Sequence, residues 1–163
     1  MLGIKMQYDL FRSVSMNSIM RVNAARDCQR GDSAEAYVTH FFLREGFDAH
    51  GTRRAAPFDH ILTFEDGSMH PVLVQTKHQL HPNRGRWRFN FRCGNPRTGS
   101  GSRPYPPNAY HISACVALSI GKVLFCAGVK PYLTFTTAQF MREKAELESL
   151  HSALETIRLR SCN

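Results

Sequence analysis

Two apolar runs joined by a short acidic turn constrain this chain more than any other feature. Residues 58–64 and 69–78 flank Glu65-Asp-Gly-Ser68, and an Asp-Gly pair between apolar segments signals an antiparallel hairpin. A helical pattern precedes it, from about residue 32 to residue 45, with Asp32 or Ser33 as its cap, Gly46 as its left-handed stop, and Val38, Phe41 and Phe42 on one side. The hairpin sets Asp59 on one strand and Gln75 and Lys77 on its neighbour. Residues two apart on a strand share a face, so Gln75 and Lys77 project together.

The remaining elements are coarser. Residues 1–30 lack a clear period and are read as an N-terminal extension, with a short helix around 15–25. Further strands are expected at 47–50 and 86–92, and a second hairpin over 112–118 and 122–129, turning at Ile120-Gly121. The Gly, Pro, Ser and Arg content of 93–108 predicts a mobile loop without regular structure. Residues 136–160 are predicted helical, capped by Thr136 or Thr137, with Phe140, Leu147, Leu150, Leu154 and Ile157 on one stripe. That stripe suits core packing, with a dimer contact as the other reading.

A chain of 163 residues with 42% hydrophobic content accommodates one domain with a real core. No apolar run approaches a membrane span, and Lys5, Asp9 and Arg12 interrupt any signal-peptide core. The expectation is a soluble cytoplasmic protein with no membrane partner. The five cysteines, irregularly spaced and without C-x-x-C, are expected to be reduced and mostly buried. His70, His78 and His81 do not reach zinc-ligand spacing with suitable partners, and neither a nucleophile elbow nor a phosphate-binding glycine loop is present.

The net charge of +8 points to a polyanionic partner, nucleic acid before membrane. Its distribution says more. Residues 67–142 carry no acidic side chain, while Lys77, Arg84, Arg86, Arg88, Arg92, Arg97 and Arg103 all fall within them. In Arg86-Trp-Arg-Phe-Asn-Phe-Arg92 the period of two sends Arg86, Arg88, Asn90 and Arg92 to one face and the three aromatics to the other. Without nearby acids to pair them, these arginines suit phosphates better than a merely solvated face.

Glu35, Asp59 and Lys77 each have an ordinary explanation: a helix-dipole acid, a strand-end turn residue, and a lysine leaving a strand. Their order argues for chemistry. A helix that lays Glu35 across the hairpin brings two carboxylates, the Gln75/Lys77 pair and the backbone carbonyl of Thr76 within reach of one another. Magnesium takes oxygen ligands of this kind, few from protein and the rest from water and phosphate. Lys77 would then orient or help deprotonate the attacking water and stabilise charge growing on phosphorus.

With Gly31-Asp-Ser-Ala-Glu35, Leu43-Arg-Glu-Gly-Phe47, Pro57-Phe-Asp59 and Val74-Gln-Thr-Lys77 in this order, the chain resembles the PD-(D/E)XK nuclease superfamily. Within it, the QxK type of group I intron-associated homing endonuclease is the nearest pattern. The resemblance covers about residues 31–92, and the final hairpin loosely. It implies an α/β fold with a restriction-endonuclease-like core, a central mixed β-sheet flanked by helices, in a single nuclease domain over 31–163. It also implies magnesium-dependent, site-specific cleavage of double-stranded DNA, with manganese substituting, by a homodimer or higher homo-oligomer. Glu35 and Asp59 become the metal-site acids, Gln75 the variant third-motif residue and Lys77 the catalytic lysine; the charge pattern, separately, makes Arg84, Arg86, Arg88, Arg92, Arg97 and Arg103 the expected DNA contacts. Most of the superfamily has a carboxylate where this chain has Gln75, so the site leans on Glu35. A Holliday-junction resolvase, a restriction or repair nuclease, and an inactive DNA-binding module are the alternatives. Junction preference and magnesium-dependent nicking discriminate among them.

Overall fold

The computed structural model describes residues 2–52, 56–64, 66–67, 69–94 and 101–161, with side chains over 21–160 of these. They fall into two compact units, residues 1–33 and 34–163. The first unit is helical throughout, part of helix α1 (Leu2–Arg44). Arg30 pairs with Asp27 at 3.0 Å, and the Ser33 hydroxyl donates to the Gln29 carbonyl at 2.8 Å. The expected cap at Asp32 or Ser33 is therefore not formed, because Ser33 bonds back to the preceding helical turn instead. The aperiodic extension and the short helix expected at 15–25 are both absorbed into α1.

The second unit begins with the last turns of α1, which end as the sequence predicts. Gly46 has φ 82°, its N–H donates to Leu43, and the Phe47 N–H reaches back to the Phe42 carbonyl at 2.9 Å. This paired arrangement satisfies two of the carbonyls a helix end leaves open. The central sheet contains β1 (Asp48–Gly51), β2 (His60–Thr63), β3 (Val72–Gln79), β7 (Ile112–Ala117) and β8 (Lys122–Ala127), hydrogen-bonded in that order. β1, β2 and β3 are antiparallel, β3 and β7 parallel, and β7 and β8 antiparallel, so the sheet is mixed. Both predicted hairpins are present.

Each sheet face has its own core. Val72, Val74, Ala114 and Phe125 meet Val38, Phe41 and Phe42 of α1 and Leu150, Ala153 and Leu154 of α3 (Ala145–Ser161). Phe125 lies 5.4 Å, centroid to centroid, from both Phe41 and Phe42. Truncating Phe42 to alanine there would cost about 3–5 kcal/mol. Cys115, Ala117 and Leu124 face the other way, toward a two-stranded ribbon of β4 (Arg86–Asn90) and β9 (Tyr132–Thr136) and the short helix α2 (Thr137–Met141). On β4, Trp87 and Phe89 are buried and Arg86, Arg88 and Asn90 exposed, the predicted alternation.

Several expectations are corrected. Residues 93–108 are not wholly irregular, since β5 (Arg92–Cys93) and β6 (Arg103–Pro104) pair antiparallel. Arg97 lies outside the described residues. The predicted C-terminal helix is two helices: Thr136 caps α2 in a reciprocal arrangement with Gln139, and Lys144, at φ 57°, breaks the run before α3. Strand β9 was not expected, although Tyr132-Leu-Thr-Phe-Thr136 alternates in the way a strand requires. Of the four described cysteines, all free, only Cys115 is buried. Leu150 and Leu154 are consumed by the chain's own core, with Ile157 packed beside them. The outward N–H groups of Val123 and Phe125 on β8 donate to Glu146 Oε1 at 3.0 Å and Ser149 Oγ at 3.1 Å. α3 thereby covers part of that edge, and Leu147 and Ile157 of the stripe stay half-buried. Among the described residues no helix is long and apolar enough to cross a membrane.

Candidate active site

The site forms where β2 stops and β3 continues. The ladder between them pairs His60 with Val74, and the Asp59 N–H still donates to the Val74 carbonyl at 2.8 Å. Beyond that point the chain is drawn toward β1: the Thr52 N–H donates to the Asp59 carbonyl at 2.9 Å and the Thr52 hydroxyl to Phe58 at 2.6 Å. The Asp59 side chain then replaces the missing strand. Its Oδ2 accepts from the Thr76 N–H and from Gln75 Nε2, both at 2.7 Å. A strand residue's N–H and C=O leave the backbone on one side, so the Thr76 carbonyl also points to the Asp59 side, where Gln75 Nε2 meets it at 3.1 Å. With its amide nitrogen between two acceptors, Gln75 keeps Oε1 for another partner.

Lys77 projects from the same face as Gln75, its ammonium 5.8 Å from the centre of the Tyr105 ring. Burial lowers its pKa; Asp59, Glu35 and Cys93, in that order, oppose the shift. Burial also raises the pKa of Asp59, against the Thr76 N–H and the Lys77 charge. Tyr105 is pushed up to about 12, chiefly by burial. Burial thus outweighs the mutual attraction of Asp59 and Lys77 at both groups, and an additional cation beside Asp59 or a phosphate beside Lys77 would favour their charged forms.

Glu35 is half-buried on α1, where its charge is felt by Lys77. The structure thus brings Asp59, Gln75, Thr76 and Lys77 together, with Glu35 in electrostatic range. Beside them a cleft of about 710 Å³ is lined by Pro57, Lys77, Arg92, Cys93, Arg103 and Tyr105. Arg92 is anchored by Ser102, Nε to Oγ at 3.0 Å and Nη2 to the carbonyl at 2.8 Å. Arg84, Arg86 and Arg88 lie on the ribbon and its tip, and only Arg92 lines both the cleft and the groove along the ribbon's outer face.

Sequence reasoning missed two residues. His60 is 1% exposed and bridges two elements: Nε2 is 2.9 Å from Thr76 Oγ1 on β3, and Nδ1 is 3.3 Å from Thr39 Oγ1 on α1. Burial drops its pKa to about 4, so it stands there as a neutral support under Thr76. A histidine between Asp59 and the apolar pair Ile61-Leu62 was the available signal. Tyr105, inside a proline-rich stretch, gave none.

The donor set is oxygen: two carboxylates, one directed backbone carbonyl and one amide. Oxygen donors of this kind, few and with neutral members, are the type that magnesium takes, and Asp59, the Thr76 carbonyl and Gln75 are the ones that hydrogen bonds bring together.

No protein-family model matches this chain, and no curated protein does. Among solved structures it is similar to that of a bacterial homing endonuclease, I-Ssp6803I, with a TM-score of 0.60 at 13% identity, over 80% of this chain and 95% of that one. At that identity the likeness is one of fold, and it agrees with what the strands and helices show: an α/β architecture with a central mixed sheet flanked by helices, similar to that of a homing endonuclease.

Proposed function

We propose that this chain is a magnesium-dependent DNA endonuclease of the PD-(D/E)XK type with a QxK third motif, cutting double-stranded DNA at specific sites. The observation that carries this reading is the early end of β2, which leaves Asp59, the Thr76 carbonyl and the Gln75 amide converging beside Lys77. Asp59, Glu35 and the Thr76 carbonyl would hold the cation, with manganese able to replace it. When bound, the cation supplies Lewis-acid stabilisation of charge on the phosphoryl oxygens. Gln75 fixes the Asp59 carboxylate by donating to Oδ2, leaving Oδ1 for binding. Lys77, its pKa lowered by burial, accepts or shares a proton of the attacking water and afterwards faces the negative charge on phosphorus. Arg92 and Arg103 hold the substrate phosphate at the cleft mouth.

Because one site makes one cut, double-strand breaks call for two chains, and a symmetric pair implies a target with two-fold character. The test is incubation of supercoiled and linear DNA with the protein in magnesium, manganese or calcium, with the ends mapped. Discrete ends in magnesium or manganese, none in calcium, and loss in Asp59→Ala and Lys77→Ala are expected. Cleavage retained by either variant, or binding with no cleavage in any metal, overturns the reading.

A further inference from the structure

We propose that the outward face of the β4–β9 ribbon reads bases in the DNA major groove, with Arg86 and Arg88 directed at guanines and Asn90 at adenine. The identity of the ligand as DNA rests on the nuclease reading above; the assignment of the ribbon rests on its own geometry.

A two-stranded antiparallel ribbon is one of the two protein elements that the major groove of B-DNA, about 12 Å wide, admits. This one has one face sealed against the protein: Trp87, Phe89, Leu133 and Phe135 pack inward, and Trp87 Nε1 donates to Thr137 Oγ1 at 3.1 Å. The free backbone edge of β4 is held as well, the Arg88 N–H donating to Gln79 Oε1. Where the chain enters β4 from β3, Arg84 and Gly85, at φ 48° and 72°, form a tight turn closed by reciprocal bonds between Asn83 and Arg86, which fixes the start of β4. The outer face is therefore presented on a rigid support, which a base-reading constellation needs.

The residues on that face suit the task. Arg86, Arg88 and Asn90 stand opposite Thr136, Thr134 and Tyr132. Neither Arg86 nor Arg88 forms an ion pair among the described residues, and Tyr132 is 72% exposed. Alternate strand residues are about 7 Å apart, roughly two base-pair steps. Arginine matches the paired acceptors of guanine and asparagine the donor and acceptor of adenine. Arg92 lines both this groove and the Lys77 cleft, so bases read by the ribbon adjoin the phosphate to be cut.

Selection of bound duplexes from a randomised library, in calcium, tests this. The wild-type protein should recover a motif; Arg88→Ala should erase preference at a guanine position and Asn90→Ala at an adenine position, each losing about 10- to 100-fold on the selected duplex and little on scrambled DNA. Both side chains are exposed, and circular dichroism checks that the variants fold. Equal losses on all sequences with a reduced salt slope would make the face a phosphate ridge and overturn the proposal. So would equally tight binding to double-stranded RNA, whose deep, narrow major groove excludes a ribbon. A recovered motif that both variants relax supports the ribbon even if no metal gives cleavage, which sinks the nuclease reading alone; cleavage with an unaltered motif in both variants sinks the ribbon alone.

Discussion

Two carboxylates in this molecule accept the N–H of a strand that has run out of neighbours, and they are finished differently. At the outer edge of β8, Glu146 takes the Val123 N–H at 3.0 Å, is met by Lys122 Nζ at 2.9 Å and lies 2.9 Å from the Tyr37 hydroxyl. Both of its oxygens are engaged and its charge is matched. At the half-open edge of β3, Asp59 takes the Thr76 N–H and the Gln75 amide on Oδ2, and among the described residues Oδ1 accepts no hydrogen bond and the carboxylate forms no ion pair. The first arrangement is complete within the protein. The second has binding capacity left over, beside a buried lysine. The same device thus closes a sheet at one edge and leaves a site at the other.

The sharpest way to break that comparison is to neutralise each carboxylate in turn. Asp59→Asn should lower cleavage by about a thousand-fold or more if the acid holds the metal, with binding to DNA in calcium retained. Its thermal stability should hold or rise, because burial disfavours the Asp59 charge by more than Lys77 favours it. Glu146→Gln should do the opposite: an intact cleavage rate per folded molecule, and a loss of about 1–2 kcal/mol in denaturant unfolding, since Lys122, Tyr37 and the Val123 N–H lose a charged acceptor. Equal effects of the two substitutions on both readouts would show that the difference in their surroundings has no functional meaning.

The support under the open edge supplies a pH test. His60 titrates near 4 in the fold, against about 6.5 in an unfolded chain. Above pH 6.5 neither state carries the proton and the stability is complete. As pH falls from 6.5 to 4 the unfolded chain gains a proton that the fold refuses, removing about 3 kcal/mol in total. A His60→Gln variant, able to keep a hydrogen bond to Thr76, should lose this slope while remaining less stable than wild type at pH 7.5. Unfolding curves at several pH values decide it; parallel profiles for the two proteins would mean that His60 is reached by solvent.

What could be read in advance follows the range of the interactions. The hairpin, the Gly46 stop, the burial of Phe41 and Phe42 and the alternation along Arg86–Asn90 are all local, and all are present. The start of α1 was misread because a Ser that caps a helix also fits inside one, bonding back to Gln29. The parallel pairing of β3 with β7 joins Gln75 to Ser113, a separation that no short pattern encodes. The gathering of Asp59, Gln75 and Lys77 was legible because one hairpin carries all three. The role of His60 was not, since it depends on Thr39 coming to rest above the sheet. The Leu150 and Leu154 stripe meets the core, the first of its two readings, but the pattern alone does not decide between core and partner, because that choice is made by elements distant in sequence.

The smallest effect is expected at Gln75, where the two edges differ most subtly. Glu146 is satisfied by a positively charged side chain, Asp59 by a neutral amide that donates one hydrogen bond to it and a second to Thr76. Gln75→Glu removes both donors and sets a second negative charge against Asp59 in a buried place, so the metal-free protein should be less stable by about 1–3 kcal/mol at neutral pH. The same substitution adds a hard anionic oxygen, so magnesium should raise its melting temperature by more than it raises that of the wild type. Thermal melts with magnesium, manganese and calcium, each against a chelator control, measure both halves. If Gln75→Glu is as stable as wild type without metal and gains nothing from adding one, the oxygens around Asp59 do not form a cation site, and the open edge is only an unfinished sheet.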